Sequence, residues 1–201
     1  MSISNEIAVS VLAPDELPRA GALLARAYRD NPMMFELFGD DPALRISANE
    51  VALHARIACM KPPPLVVREG GRLLGVCGAD PPGGSQMTDA DMTAIMNAFN
   101  TAGPDTFRRT LEMLQQFAAK SPQQPFWNLG PVGVDPEHQG RGIASAMLTA
   151  FCTRLDGQHA ASFLETDVEK NANLYARFGY ELTEQATILG FPMWFMWRPG
   201  R

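Results

Sequence analysis

The chain has 201 residues, 46% of them hydrophobic, and a formal net charge of −5. That size suits one hydrophobic core and a single domain over residues 1–201, and the acidic balance argues against nucleic acid or anionic lipid as a partner. Three cysteines (Cys59, Cys77, Cys152), an odd number without a CxxC pair or histidines at ligand spacing, argue against a disulfide framework and against any metal site. They read as buried thiols in a reducing compartment. The first ten residues lack a basic and an apolar leader region, and no stretch approaches the ~18 apolar residues of a membrane span. The expectation is a cytoplasmic protein that does not engage a membrane.

In chain order, residues 7–12 alternate as a strand, and the apolar positions Leu17, Ala20, Leu23, Leu24 and Ala27 predict a helix that ends near Asp30-Asn31-Pro32. A short apolar piece over residues 33–38 precedes a second helix over residues 42–60. Pro62-Pro63-Pro64 breaks it, and residues 65–77 around Glu69-Gly70-Gly71 read as a β-hairpin. A loop over residues 80–85 leads to two helical patterns, residues 89–100 and 106–119. Then come a strand (126–134), a Gly-rich loop, a helix (143–155), a strand (162–166), a short helix (171–178) and two strands (180–185 and 193–197). Strands alternating with helices around a mixed sheet make an α/β or α+β domain.

The loop Gln139-Gly140-Arg141-Gly142-Ile143-Ala144 joins a strand to a helix start. Amides at a helix start point outward unsatisfied and can hold a phosphate, and glycines let the backbone approach it. A Walker A loop would need Gly-Lys-Ser/Thr, whereas Ile143 follows Gly142. A dinucleotide fingerprint would place a glycine or alanine where Ser145 stands, with Glu165 about where a ribose-binding acid sits. A glycine loop that only turns a corner is the third reading, and the loop alone leaves these open.

The run from Trp127 through Gly133, Gln139, Gly142 and Ala144 to Leu148 closely resembles the central motif of the GNAT acyltransferase superfamily, Gln/Arg-x-x-Gly-x-Gly/Ala. Leu164-Glu165-Thr166 with Asn171, Tyr175 and Phe178-Gly179-Tyr180 is similar to the family's next strand and the helix that follows it. The match covers a cofactor half of about residues 126–185 and leans toward the branch containing puromycin acetyltransferase. It implies a GNAT-like fold, a mixed and mostly antiparallel sheet with a splayed central strand and helices on both faces. It also implies acetyl-coenzyme A as co-substrate, with no metal.

By this resemblance the pantetheine arm pairs with the strand backbone at Val132, Gly133 and Val134, beside Pro131, which has no N–H. Pyrophosphate meets the amides of Gln139, Gly140, Arg141, Gly142, Ile143 and Ala144, with Ser145 adding a hydroxyl and Arg141 a charge. Asn171 would bond the pantetheine or serve as a helix N-cap. Tyr175 matches the family's general acid, which returns a proton to the departing thiolate, while its spacing with Leu174 and Phe178 also suits a core tyrosine. Some relatives carry a glutamate base where this chain has Asn128, so Glu165 is the candidate general base, ahead of His54 and His138.

The family's acceptor site is built by the first helices and late strands, which here carry Met33, Met34, Phe35, Phe38, Phe191, Trp194, Phe195 and Trp197, with Asp40 and Asp41 nearby. The expected activity is N-acetylation of a small-molecule amine by direct transfer. The rival readings are a non-catalytic coenzyme A or effector-binding module, a protein or peptide N-acetyltransferase, and a dinucleotide-dependent oxidoreductase. The sequence leaves open the acceptor and whether the chain forms a homodimer.

Overall fold

The structure, a computed structural model, describes residues 7–84 and 87–201; residues 1–6, read above for a leader, and Ser85, the end of an expected loop, lie outside them. The elements follow in the order β1 (Val9–Val11), α1 (Leu17–Tyr28), α2 (Pro32–Phe38), α3 (Pro42–Ala58), β2 (Leu65–Glu69), β3 (Arg72–Asp80), α4 (Asp89–Ala102), α5 (Thr106–Lys120), β4 (Trp127–Val134), α6 (Ile143–Asp156), β5 (Ser162–Thr166), α7 (Glu169–Ala176), β6 (Glu181–Ile188) and β7 (Phe191–Arg198). Local chemistry sets several starts. Asp41 caps α3 by accepting from the Ala43 amide at 2.9 Å, and Thr88 and Asp91 form a reciprocal capping box at the start of α4.

One seven-stranded sheet runs in the order β1-β2-β3-β4-β5-β7-β6, and every neighbouring pair is antiparallel except β4 with β5. Strand residues alternate between the faces, and a register shift in the β2–β3 pairing at Val67/Arg68 puts Leu73 on the same side as Val76. Val66, Leu73 and Val76 therefore meet Leu23, Leu24 and Ile57 of α1 and α3, while Val67, Leu74 and Cys77 meet Ile143, Met147 and Leu148 of α6. Helices cover both faces, as expected, and each fully buried Val or Leu here contributes roughly 1.5–3 kcal/mol. A third cluster packs α2 to α5 over β5 and β7, where Phe163 stacks on Phe195 at 6.3 Å and Phe38 meets Phe99 edge-on at 5.1 Å.

Gly133 decides how α1 lies on the sheet. A Cβ at that position would stand 2.8 Å from Leu24 Cδ2 and 3.1 Å from Ala27 Cβ, so only glycine lets the helix rest on β4. The consequence is that the last residue of α1, Tyr28, arrives beside the strand. Among the described residues no helix is long and apolar enough to cross a membrane.

Candidate active site

β4 and β5 pair only at Trp127 with Ser162 and at Asn128 with Phe163. There the junction is locked: Ser162 Oγ donates to the Trp127 carbonyl (2.9 Å) and, with that hydrogen used, accepts from the Tyr180 hydroxyl (2.7 Å). Beyond Asn128, β4 stays on β3 as far as Val134 opposite Gly75, while β5 leaves it and follows β7 to Thr166. The strands splay, and the backbone edge of residues 129–134 faces a gap. In that gap the Val132 N–H donates to Tyr28 Oη at 3.0 Å. Burial pushes the Tyr28 phenol well above its ordinary pKa, so it stays neutral there.

After β4, Asp135 fixes the loop. Burial raises its carboxyl, but bonds from Arg26 (3.1 Å), His138, the Glu137 amide and Arg72 (3.2 Å) together hold it down at about 2. Gly140 (φ +78°) and Gly142 (φ +82°) adopt the left-handed conformation that turns the chain into α6. Among the described residues no protein acceptor meets the amides of residues 139–145. Of these residues all but Arg141 rim a cleft of about 910 Å³ that runs from Gln139 and Ser145 past Val134 and Val132 to Asn171 and Tyr175. Donors aimed at open space at a helix start, beside an unpaired strand edge, suit an anionic diester with an extended amide arm.

A second cavity, about 320 Å³, opens from the other side of the same gap. Tyr28, Asn31, Val132, Asn171 and Tyr175 line both spaces, so the two meet where the strands part. Glu165 of β5 faces this second cavity. It keeps some accessible surface because it borders the cavity, yet burial raises its pKa from 4.5 to about 7, against the attraction of Arg56. Arg56 of α3 is held by Asp80 of β3, with one bond at 2.8 Å and a second, shorter one. Asp167 accepts from Asn31 Nδ2 (3.1 Å) and the Met33 amide (2.9 Å), which ties α2 to the end of β5. Tyr175 is buried, its ring edge-on to Tyr180 at 6.0 Å, and burial raises its phenol well above 10.

The pattern of residues 31–180 matches the model of the acetyltransferase (GNAT) family, three quarters of the chain. The chain belongs to the GNAT acetyltransferase family. Solved structures share this fold. An acetyltransferase from Corynebacterium glutamicum, described with histone acetyltransferases, aligns at TM-score 0.71 and 21% identity over 98% of this chain and 97% of that one. The Drosophila melanogaster polyamine N-acetyltransferase aligns at 0.66 and 15% over 96% and 99%, and a Brucella melitensis GNAT acetyltransferase in complex with acetyl-CoA at 0.54 and 18% over 96% and 87%. Family membership makes acetyl-CoA-dependent acetyl transfer the activity of the class, and the fold is that of a GNAT protein.

Within this GNAT fold the residues expected from sequence gather as follows. Val132, Gly133, Val134, Gln139, Gly140, Gly142, Ile143, Ala144, Ser145, Asn171 and Tyr175 all border the cleft, and Glu165 lies across the gap from it. Arg141 does not border it; its guanidinium turns outward to Glu69 at 2.7 Å. The cations at the cleft are instead Arg26, Arg29, Lys170 and Arg177, of which Lys170 and Arg177 have no ion pair among the described residues. Asn171 is not the N-cap of α7, which starts after Val168 and leaves Asn171 in the first turn. His54 and His138 border neither cavity.

Of the expected acceptor residues, Met33, Met34 and Phe38 line the second cavity, whereas Phe191 and Phe195 are core and Phe35 stacks under Arg45 at 3.9 Å. Trp194 and Trp197 pack on the core clusters, and Asp41 is spent as a helix cap. All three cysteines are free, but Cys59 is only half-buried, while burial pushes Cys77 up to about 12. Sequence reading missed Tyr28, Asn49, Arg56 and the walls from α4 and α5. No local signal marks them, because each acts on residues tens of positions away.

Proposed function

We propose that this GNAT protein moves an acetyl group from acetyl-coenzyme A to the amine of a small molecule by direct transfer. The observation that carries the reading is the meeting of the cleft and the second cavity at Val132, Asn171 and Tyr175, with a carboxyl of pKa about 7 on the far side. Acetyl-coenzyme A supplies an acetyl thioester. The free amides of residues 139–145 and the open edge of β4 suit its pyrophosphate and pantetheine, and Lys170 and Arg177 add charge beside it. Glu165, poised near neutrality, takes the proton of the incoming amine as the new C–N bond forms and the C–S bond breaks. Tyr175, kept protonated by burial, gives its proton to the leaving sulfur. The same enclosure raises a thiol, which narrows the gap this proton must cross.

A cavity of about 320 Å³ is at the small end of ligand pockets and favours a small amine over a folded protein surface. The motif run further supports the branch containing puromycin acetyltransferase, and three free cysteines support a cytoplasmic setting. Thermal shift with acetyl-coenzyme A, nucleotides and nicotinamides, followed by thiol release with a panel of amines, tests the proposal. The expected result is stabilisation by acetyl-coenzyme A and amine-dependent release. Stabilisation without release for any amine makes the chain a binding module, release only with protein amines makes it a protein acetyltransferase, and stabilisation by nicotinamides alone removes the GNAT chemistry altogether.

A further inference from the structure

The second cavity has a composition that selects among amines. Met34, Phe38, Ile95, Phe99 and Met113 form its wall, and its rim is made of Met92, Leu111 and Leu114, which stand 43%, 41% and 50% exposed. Large apolar side chains left in water around an apolar hollow are a binding feature rather than a packing one. Among the described lining residues only Glu165 and Asp167 are carboxylates. Asp167 already accepts one bond at each oxygen, from Asn31 and Met33, so Glu165, which carries no such side-chain bond, is the more open carboxylate for an ammonium. A second cation on the substrate would lie against methionine and phenylalanine, with the Arg56 guanidinium in the same lining.

Among the polar residues of the lining, two hold an amide atom that is left without a partner. Asn49 Nδ2 and Asn128 Oδ1 are buried without a hydrogen-bond partner, and both residues line the cavity. An unpaired buried amide costs about 1–3 kcal/mol, a cost that a ligand with a matching group removes. As placed, Asn49 Nδ2 is a donor without an acceptor and Asn128 Oδ1 an acceptor without a donor. Asn128 lies opposite Phe163, two residues before Glu165 on the same sheet face, which sets it about 7 Å along the strand and one strand across, about 8 Å in all from the residue that bears the carboxylate.

We propose that the acceptor is a primary monoamine with an apolar, ring-sized body and one neutral group, able to donate and accept a hydrogen bond, about 8 Å from the reacting nitrogen. Asn49 and Asn128 are the residues that recognise that group. This rests on the acetyl-transfer reading for its chemistry, while the binding it describes is separable from turnover.

The test uses tyramine and 2-phenylethylamine, which differ by one ring hydroxyl, against the dications agmatine and putrescine. Calorimetric titration into protein saturated with coenzyme A reports binding, and thiol release reports kcat/KM. Tyramine is expected to exceed 2-phenylethylamine about tenfold and the dications by more. Asn49→Leu is expected to collapse the tyramine-to-phenylethylamine ratio toward one. Met92→Glu, at the exposed rim where folding is not at stake, is expected to shift preference toward putrescine about tenfold. Agmatine or putrescine used as well as tyramine overturns the proposal, as does an Asn49→Leu variant that keeps the tenfold ratio. Tyramine bound but not acetylated would sink the transfer reading and leave this site assignment standing.

Discussion

In a Glu165→Gln variant the side chain that faces the second cavity keeps its shape and can no longer take a proton. Burial lifts this carboxyl from 4.5 to about 7, so in the folded protein at pH 7 it is about half ionised. Because the folded-state pKa lies above the unfolded one, the native state binds the proton more tightly. The associated stability is fully present below pH 4.5 and is lost as pH rises through 7. The gap corresponds to roughly 3 kcal/mol. Glutamine never ionises, so the variant escapes that loss: its unfolding free energy relative to wild type should climb by about 3 kcal/mol between pH 4 and pH 8. Catalysis should move the other way. In the wild type, log(kcat/KM) bends near pH 7, where the base ionises, over and above the limb from the substrate amine. The variant lacks the bend and is slower by roughly 10²–10⁴-fold at pH 8. Urea unfolding across pH and thiol-release kinetics measure both. A variant that retains the bend near pH 7 and most of its activity would refute Glu165 as the base. A stability difference that is flat with pH would refute the burial argument itself.

Three further outcomes follow from the same geometry. Tyr175→Phe keeps the ring against Tyr180 and removes the proton donor, so kcat should fall roughly 10²–10⁴-fold while the coenzyme A thermal shift persists; loss of both would mark it as a packing residue only. Tyr28→Phe frees the Val132 amide, and coenzyme A should then bind up to about tenfold more tightly by calorimetry because it no longer displaces the phenol; weaker binding would show that the phenol contacts the ligand instead. Gly142→Ala forces a side chain into a backbone at φ +82°, which should cost about 1–2 kcal/mol in urea unfolding and weaken coenzyme A binding as well.

Much of the donor half was legible in the chain because its signals are local. Gly140 and Gly142 stand next to the helix whose amides they expose, and Glu165, Asn171 and Tyr175 follow at the spacing of one strand and one helix turn. Periodicity also placed the strands and most helices within a few residues, since capping and alternation are properties of short windows, but α2 (Pro32–Phe38) reads only as a short apolar piece. The pairing of Arg141 was not legible for the opposite reason: its partner Glu69 is 72 residues away, and a distant carboxylate leaves no mark on a loop motif. The acceptor half behaves the same way. Helices α4 and α5 read only as helical patterns, and their packing over β5 and β7 is what turns Phe99 and Met113 toward a cavity.

The amino-acid sequence by itself determined most of the order of elements, the Gly-rich loop at the start of α6 and the family, because each is written in contiguous residues whose conformational preferences act over a few bonds. Tertiary structure alone decided that Tyr28 occupies the Val132 amide, that Arg56 is held on Asp80 beside Glu165, and that Asn49 and Asn128 are left without partners in one apolar hollow. Those are proximities across 24 to 104 positions of chain, created when hydrophobic faces close on one another, and desolvation at that closure is what brings a glutamate to neutrality.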